Sequence, residues 1–131
     1  MLKLSITLAV AVVFTVGCSN RRLLTDPAFQ PQIVNQTDNF SLQATNVTNV
    51  TQTLPFTWQN TGTSANVNQA TQVTGGSATL TILDASNQQV YTNSLTANGT
   101  FPTSTGTTGG WTIRLVLSNF TGTINFRVQK P

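Results

Sequence analysis

From Phe40 onward, apolar residues recur at every second position, the period of a half-buried strand and not the 3.6 of a helix. Phe40, Leu42 and Ala44 alternate with Ser41 and Gln43, and Leu54, Phe56 and Trp58 alternate with Pro55 and Thr57. Ala78, Leu80 and Ile82 alternate with Thr79 and Thr81. Trp111, Ile113, Leu115 and Leu117 alternate with Thr112, Arg114 and Val116, and Ile124, Phe126 and Val128 with Asn125 and Arg127. Weaker strand patterns fall near Ala65–Val73 and Gln89–Leu95. Pro55 has no N–H to give to a ladder, so its strand is expected at an edge or a bulge. Asp84-Ala85-Ser86-Asn87 and Asn119-Phe120-Thr121-Gly122 are expected to close hairpins, and Gly75-Gly76 to break the chain between strands.

About seven short strands at 8–12-residue spacing predict an all-β fold, a single antiparallel β-sandwich of immunoglobulin or fibronectin type over 40–131. No stretch after Gly17 predicts a helix. Threonine fills the outward positions because a β-branched hydroxyl suits a solvated strand. Trp58 and Trp111 lie in phase with the apolar faces of their strands and are expected in the core, not on a sugar-stacking platform. Tyr91 is out of phase with Val90, which makes it the candidate for an exposed ring able to stack on a ligand.

Composition narrows the chemistry. Thr, Ser, Asn and Gln number 25, 9, 13 and 11 of the 131 residues, charged residues make up only 7%, and Glu and His are absent. Without an imidazole, and with only Asp26, Asp38 and Asp84 as carboxylates, no nucleophile has an evident base, so no enzyme is expected. No cofactor or metal site is expected either: Asp84-Ala85-Ser86-Asn87 lacks the glycine and the terminal Glu of a calcium loop and reads as a turn. The net charge of +3 comes from six basic against three acidic residues, too sparse for the dense basic patch that nucleic acid requires. Asn-x-Ser/Thr triplets at Asn35, Asn39, Asn46, Asn49, Asn98 and Asn119 follow from the composition, and the echo Asn46-Val47-Thr48, Asn49-Val50-Thr51 is too short for a repeat architecture.

The N-terminus follows another pattern. After Lys3, the run from Leu4 to Gly17 carries no charge, closes on Gly17 and Cys18, and gives way to Ser19-Asn20-Arg21-Arg22. A bilayer span wants about 20 apolar residues, so a run this short is expected to be a signal-peptide core. Thr15-Val16-Gly17-Cys18 resembles the lipobox of bacterial lipoproteins at its last three positions and departs from it at the first, where the family usually carries Leu. The resemblance covers roughly the first 20 residues. It implies cleavage before Cys18, lipid on Cys18 as the attachment residue, and an extracytoplasmic, membrane-anchored location in a bacterium, on the periplasmic or outer-membrane face. An ordinary signal peptide or a retained anchor are the alternatives, and each leaves the domain outside the cytoplasm.

The chain thus divides into 1–17, a signal peptide or anchor; 18–39, a lipidated tether and docking segment; and 40–131, the sandwich. The tether holds more apolar mass than a passive linker needs. Ile33-Val34 is expected as an edge strand, or else Arg21, Arg22, Leu23, Leu24 and Phe29 are expected to dock on a partner or on headgroups. The function expected is that of a non-catalytic accessory or scaffold subunit that docks on and stabilises a larger membrane protein complex, a respiratory or photosynthetic assembly being an example. Its partners are then the membrane, through the lipid anchor, and other subunits of that complex. The rivals are a module binding carbohydrate or cell-wall glycan, and a subunit of a surface filament.

Overall fold

A computed structural model describes residues 22–131. Seven strands follow a single turn of 3-10 helix (Pro27–Phe29): β1 (Gln32–Gln36), β2 (Asn39–Asn60), β3 (Asn66–Gln69), β4 (Gln72–Leu83), β5 (Gln89–Ser94), β6 (Gly99–Pro102) and β7 (Gly109–Gln129). Every pairing is antiparallel, and the strands form one all-β, sandwich-like domain.

Two of the strands are far longer than the periodicity suggests. β2 runs for 22 residues and joins the stretches around Phe40 and Trp58, and β7 runs for 21 and joins those around Trp111 and Phe126. They pair along their whole length, from Asn39 opposite Gln129 to Asn60 opposite Gly109. The first part of β2 and the last part of β7 are flanked by β1 on one side and by β3 and β6 on the other. The remaining part of β7 is flanked by β4, which carries β5. The ribbon β2–β7 is therefore shared by both layers.

What bends the ribbon is a set of irregularities between Ala44 and Gln52, where the register slips three times. Asn46, Asn49 and Asn119 take positive φ of 53°, 55° and 45°, a left-handed conformation that Asn tolerates better than most side chains. Each inserts residues into its strand and re-aims it, as bulges do at sandwich corners. The echo Asn46-Val47-Thr48, Asn49-Val50-Thr51 thereby acquires a meaning: each Asn makes a kink and each following Val is buried. Threonine hydroxyls hold the corner. Thr121 Oγ1 accepts from the Asn49 N–H at 3.1 Å, and Thr51 Oγ1 accepts from the Asn119 N–H at 2.9 Å.

Asn119–Gly122 consequently does not close a hairpin, and Gly75-Gly76 does not separate two strands; both lie inside continuous strands where the register shifts. Gly76 (φ 66°) and Gly122 (φ 148°) sit at the register shifts between the paired strands β4 and β7. A Cβ on Gly122 would strike the Gln72 carbonyl, and one on Gly76 the Asn119 carbonyl. The Asp84–Asn87 turn forms as expected between β4 and β5.

The alternating apolar residues meet between the layers. Trp58 and Trp111 are register partners, fully buried, with rings edge-on at 6.0 Å. Phe40 packs between Phe56 at 5.2 Å and Phe126 at 5.9 Å. Each tryptophan N–H reaches a carbonyl, Trp58 that of Gln36 and Trp111 that of Thr107, which removes the cost of burying the indole donor.

Candidate functional site

The three aspartates are absorbed by the backbone. Asp26 accepts from the Ala28 N–H at 2.9 Å and caps the 3-10 helix. Pro27 opens that helix at its first position, where a missing N–H costs nothing, so the proline disfavours a long helix without preventing one turn. Asp38 binds the Thr61 N–H and hydroxyl, both at 2.7 Å, and Lys130 Nζ stands 3.9 Å from its Oδ2. Those Thr61 bonds, the backbone N–H first, hold its carboxyl below the usual range. Asp84 is 4% exposed and accepts from three backbone N–H groups: Ser86 at 2.9 Å, and Gln88 and Thr107 at 2.8 Å. The Thr107 and Gln88 N–H groups hold its carboxyl low. Asp26 thus caps its own turn, whereas Asp38 and Asp84 each fasten one turn or strand end to another. Among the described residues, no three metal-ligating side chains come together.

Tyr91 is not the exposed ring its phase suggests. It is 8% exposed, and its hydroxyl donates to Gln69 Oε1 at 2.6 Å. The register slips between Ile82 and Leu83, so two consecutive residues of β5, Val90 and Tyr91, both turn inward. Gln69 is fixed in turn by donating to the Ser94 and Ala97 carbonyls at 3.0 and 2.6 Å. Burial pushes the Tyr91 phenol up.

The segment before β1 is also corrected in part. Leu24 and Phe29, expected on a docking surface, are 1% and 2% exposed and belong to the domain core. The Leu24 N–H donates to Gln52 Oε1 at 3.0 Å, and the turn through Asp26 and Pro27 swings Phe29 inward. Two large apolar side chains so close to an open sandwich edge gain more by filling it than by waiting for a partner. Ile33-Val34 does form an edge strand, β1, exposed along its whole length. Arg22 and Leu23 are exposed, whereas Cys18 and Arg21 lie outside the described residues.

Leu23 is 44% exposed and leads to the outer face of the layer made by the second half of β2 with β7, β4 and β5. Register places Thr53, Val116, Thr79 and Ser94 in one row across the four strands, and Pro55, Arg114, Thr81 and Thr92 in the next. Val116 is 37% exposed, though its strand neighbours Leu115 and Leu117 are buried. An open groove of about 630 Å³ runs between Leu23 and Val116, lined by Thr51, Gln52, Thr53, Leu117 and Ser118. Sequence alternation assigns Arg114 and Val116 to an outer face, but nothing local signals that Leu23 shares a groove with Val116. That depends on Gln52, 28 positions from Leu24.

No protein-family model matches the chain, and no curated protein matches it in sequence.

Proposed function

We propose that this protein is a non-catalytic accessory or scaffold subunit, anchored to a membrane on its extracytoplasmic side, which docks on a larger membrane protein complex. The observation that carries the reading is the groove shared by Leu23 and Val116. Two of the four exposed large hydrophobics among the described residues meet there, next to Arg22, where the lipobox-like segment joins the domain. With lipid on Cys18, only Ser19, Asn20, Arg21 and Arg22 would separate the acyl chains from Leu23, which would hold this face close to the bilayer, where a partner complex would lie. The carboxylates support a non-catalytic reading because each is committed to backbone N–H groups. The glycan-binding alternative has lost its ring, since Tyr91, Trp58 and Trp111 all pack inside.

The test is fractionation of bacteria carrying the full chain. Wild-type protein is expected with the membranes and, after mild detergent, in a large assembly on a native gel. Cys18→Ala is expected to leave the precursor unprocessed or to release the protein, since acyl chains supply about 0.8 kcal/mol of membrane affinity per buried methylene. A wild-type chain that migrates alone after extraction overturns the accessory role. An unchanged mass and unchanged retention for Cys18→Ala overturn the lipid anchor.

A further inference from the structure

We propose that docking uses the outer sheet face centred on Arg114 and Val116, and that the partner there is a protein segment presenting a carboxylate beside an aliphatic side chain. The inference rests on the accessory-subunit reading and identifies its contact surface.

Arg114 stands in the middle of a strand in the middle of a layer, half-buried, with Pro55 on one side and Thr81 on the other. Thr81 and Thr92, next in its row, spend their hydroxyls on each other at 3.1 Å. No carboxylate lies within ion-pair distance of Arg114 among the described residues, and Asp26, Asp38 and Asp84 are each taken up by backbone N–H groups elsewhere. A planar guanidinium with five N–H donors, held on a rigid strand among hydroxyls, is matched best by a carboxylate taken in bidentate fashion. Two positions along the strand, about 7 Å away, Val116 opens the groove toward Leu23. A partner therefore needs an acid and an aliphatic residue at about that spacing, which neighbours on one face of a strand or one helical turn provide.

Two features favour a protein over lipid. The groove is lined by Thr53 and Ser118, whose hydroxyls, unlike that of Thr51, are not taken up by Asn119 and need hydrogen-bond partners that acyl chains lack. Pro55, at the free edge of β2 beside Arg114, has no N–H for an added strand, so the partner lies on the face and does not extend the sheet.

The experiment uses the full chain in its native membranes, with a photo-crosslinking residue in place of Thr53, on the row that includes Val116. The crosslinked peptide, identified by mass spectrometry, is expected to come from another membrane-complex subunit and to carry Asp or Glu within about four residues of an aliphatic residue. Arg114→Glu is expected to reduce the crosslink and co-migration at least tenfold, Arg114→Lys to keep part of both, and exchange of the partner's acid for Arg to restore the Arg114→Glu variant. Thermal melting of Arg114→Gln controls for folding and should stay at the wild-type value. Three results overturn the proposal: undiminished co-migration of Arg114→Glu, a crosslink only to a second copy of this chain, or Arg114-dependent binding to protein-free phosphatidylglycerol vesicles with no protein crosslink. If the wild-type chain co-migrates while Arg114→Glu does so equally, the accessory role stands and this face is wrong. If the wild-type chain co-migrates with nothing, both readings fail together.

Discussion

Phe40 and Phe56 lie on the same strand, sixteen positions apart, yet their ring centroids are 5.2 Å from each other. A straight strand would separate them by about 50 Å. β2 has therefore turned back on itself, and the two phenylalanines meet across the space between the layers. Neither layer can be removed without opening the other, because the same strand supplies both. Phe40 is fully buried, and Phe56 packs against the core from its margin.

Phe40→Ala is accordingly expected to cost about 3–5 kcal/mol, and Phe56→Ala less, because Phe56 keeps part of its surface in water. The double variant should be less destabilised than the sum by about 0.5–1.5 kcal/mol, the coupling of a direct aromatic pair. Urea unfolding of the four proteins measures this. Simple additivity would mean that the two rings do not touch in solution and that β2 is straighter than described.

The close backbone contact between β4 and β7 at their register shifts makes an opposed pair of glycine substitutions informative. Gly122→Ala places a methyl against the Gln72 carbonyl at a φ of 148°, so backbone must move. Gly110→Ala meets the end of the Gln59 side chain at 3.4 Å, which can swing aside, and the Thr57 methyl at an ordinary contact distance of 3.7 Å. The first is expected to lower stability by well over about 1 kcal/mol, and the second to leave it within about 0.5 kcal/mol of wild type. Equal effects in thermal melting would mean that the β4 and β7 backbones do not meet this closely at Gly122.

Much of this core was legible from alternation alone. The inward faces of Phe40–Ala44, Ala78–Ile82, Trp111–Leu117 and Ile124–Val128 are the ones that the period of two selects. What alternation misses is any position where the count slips. Alternation from apolar Val90 places Tyr91 on the outer face, whereas the bulge at Ile82/Leu83 turns both inward. The expected hairpin at Asn119–Gly122 failed for a related reason: Asn and Gly supply positive φ, which serves a bulge as well as a turn. Whether the strand stops or continues depends on what pairs beyond the kink, and that partner, β2, is some 70 residues away in sequence. The groove at Leu23 was illegible for the same reason. An exposed apolar residue acquires a meaning only when the fold sets another beside it.

Acid should loosen two specific fastenings. Asp38 and Asp84 are held below the ordinary carboxylate value of 3.8 by hydrogen bonds from N–H groups, bonds that form only in the folded chain. A carboxyl depressed in the folded state contributes stability above its unfolded value and loses that contribution as pH falls toward its folded one. Stability is therefore expected to be flat from neutral pH down to about 5 and to decline below about 4. Asp84→Asn keeps the shape but not the charge, so it should be less stable than wild type at neutral pH, with the gap closing as pH drops through that window. Urea titrations at several pH values check this. A gap that stays constant down to pH 2 would mean that the charge on Asp84 is not what binds Ser86, Gln88 and Thr107.

The N-terminal segment separates packing from docking within two adjacent residues. Leu24 is 1% exposed and tied to Gln52, whereas Leu23 is 44% exposed at the rim of the groove. Leu24→Ser removes buried methyl groups and leaves a hydroxyl in an apolar site, which should cost about 2–5 kcal/mol and broaden or lower the melting transition. Phe29→Ser should behave alike, because that ring is buried in the same core. Leu23→Ser exchanges one solvated surface for another, so its melting should match wild type within about 0.5 kcal/mol. If the groove receives a partner, however, this substitution removes up to about 1.5–3 kcal/mol of apolar burial from the contact, and co-purification with the membrane assembly should fall while melting stays unchanged. Melting curves of the three variants, set beside their recovery in native membrane complexes, give the decisive comparison. A Leu23→Ser chain recovered in full would remove the groove from the contact. A Leu24→Ser chain that melts like wild type would show the segment to be a tether after all, and would return Leu24 and Phe29 to the docking surface from which their burial now excludes them.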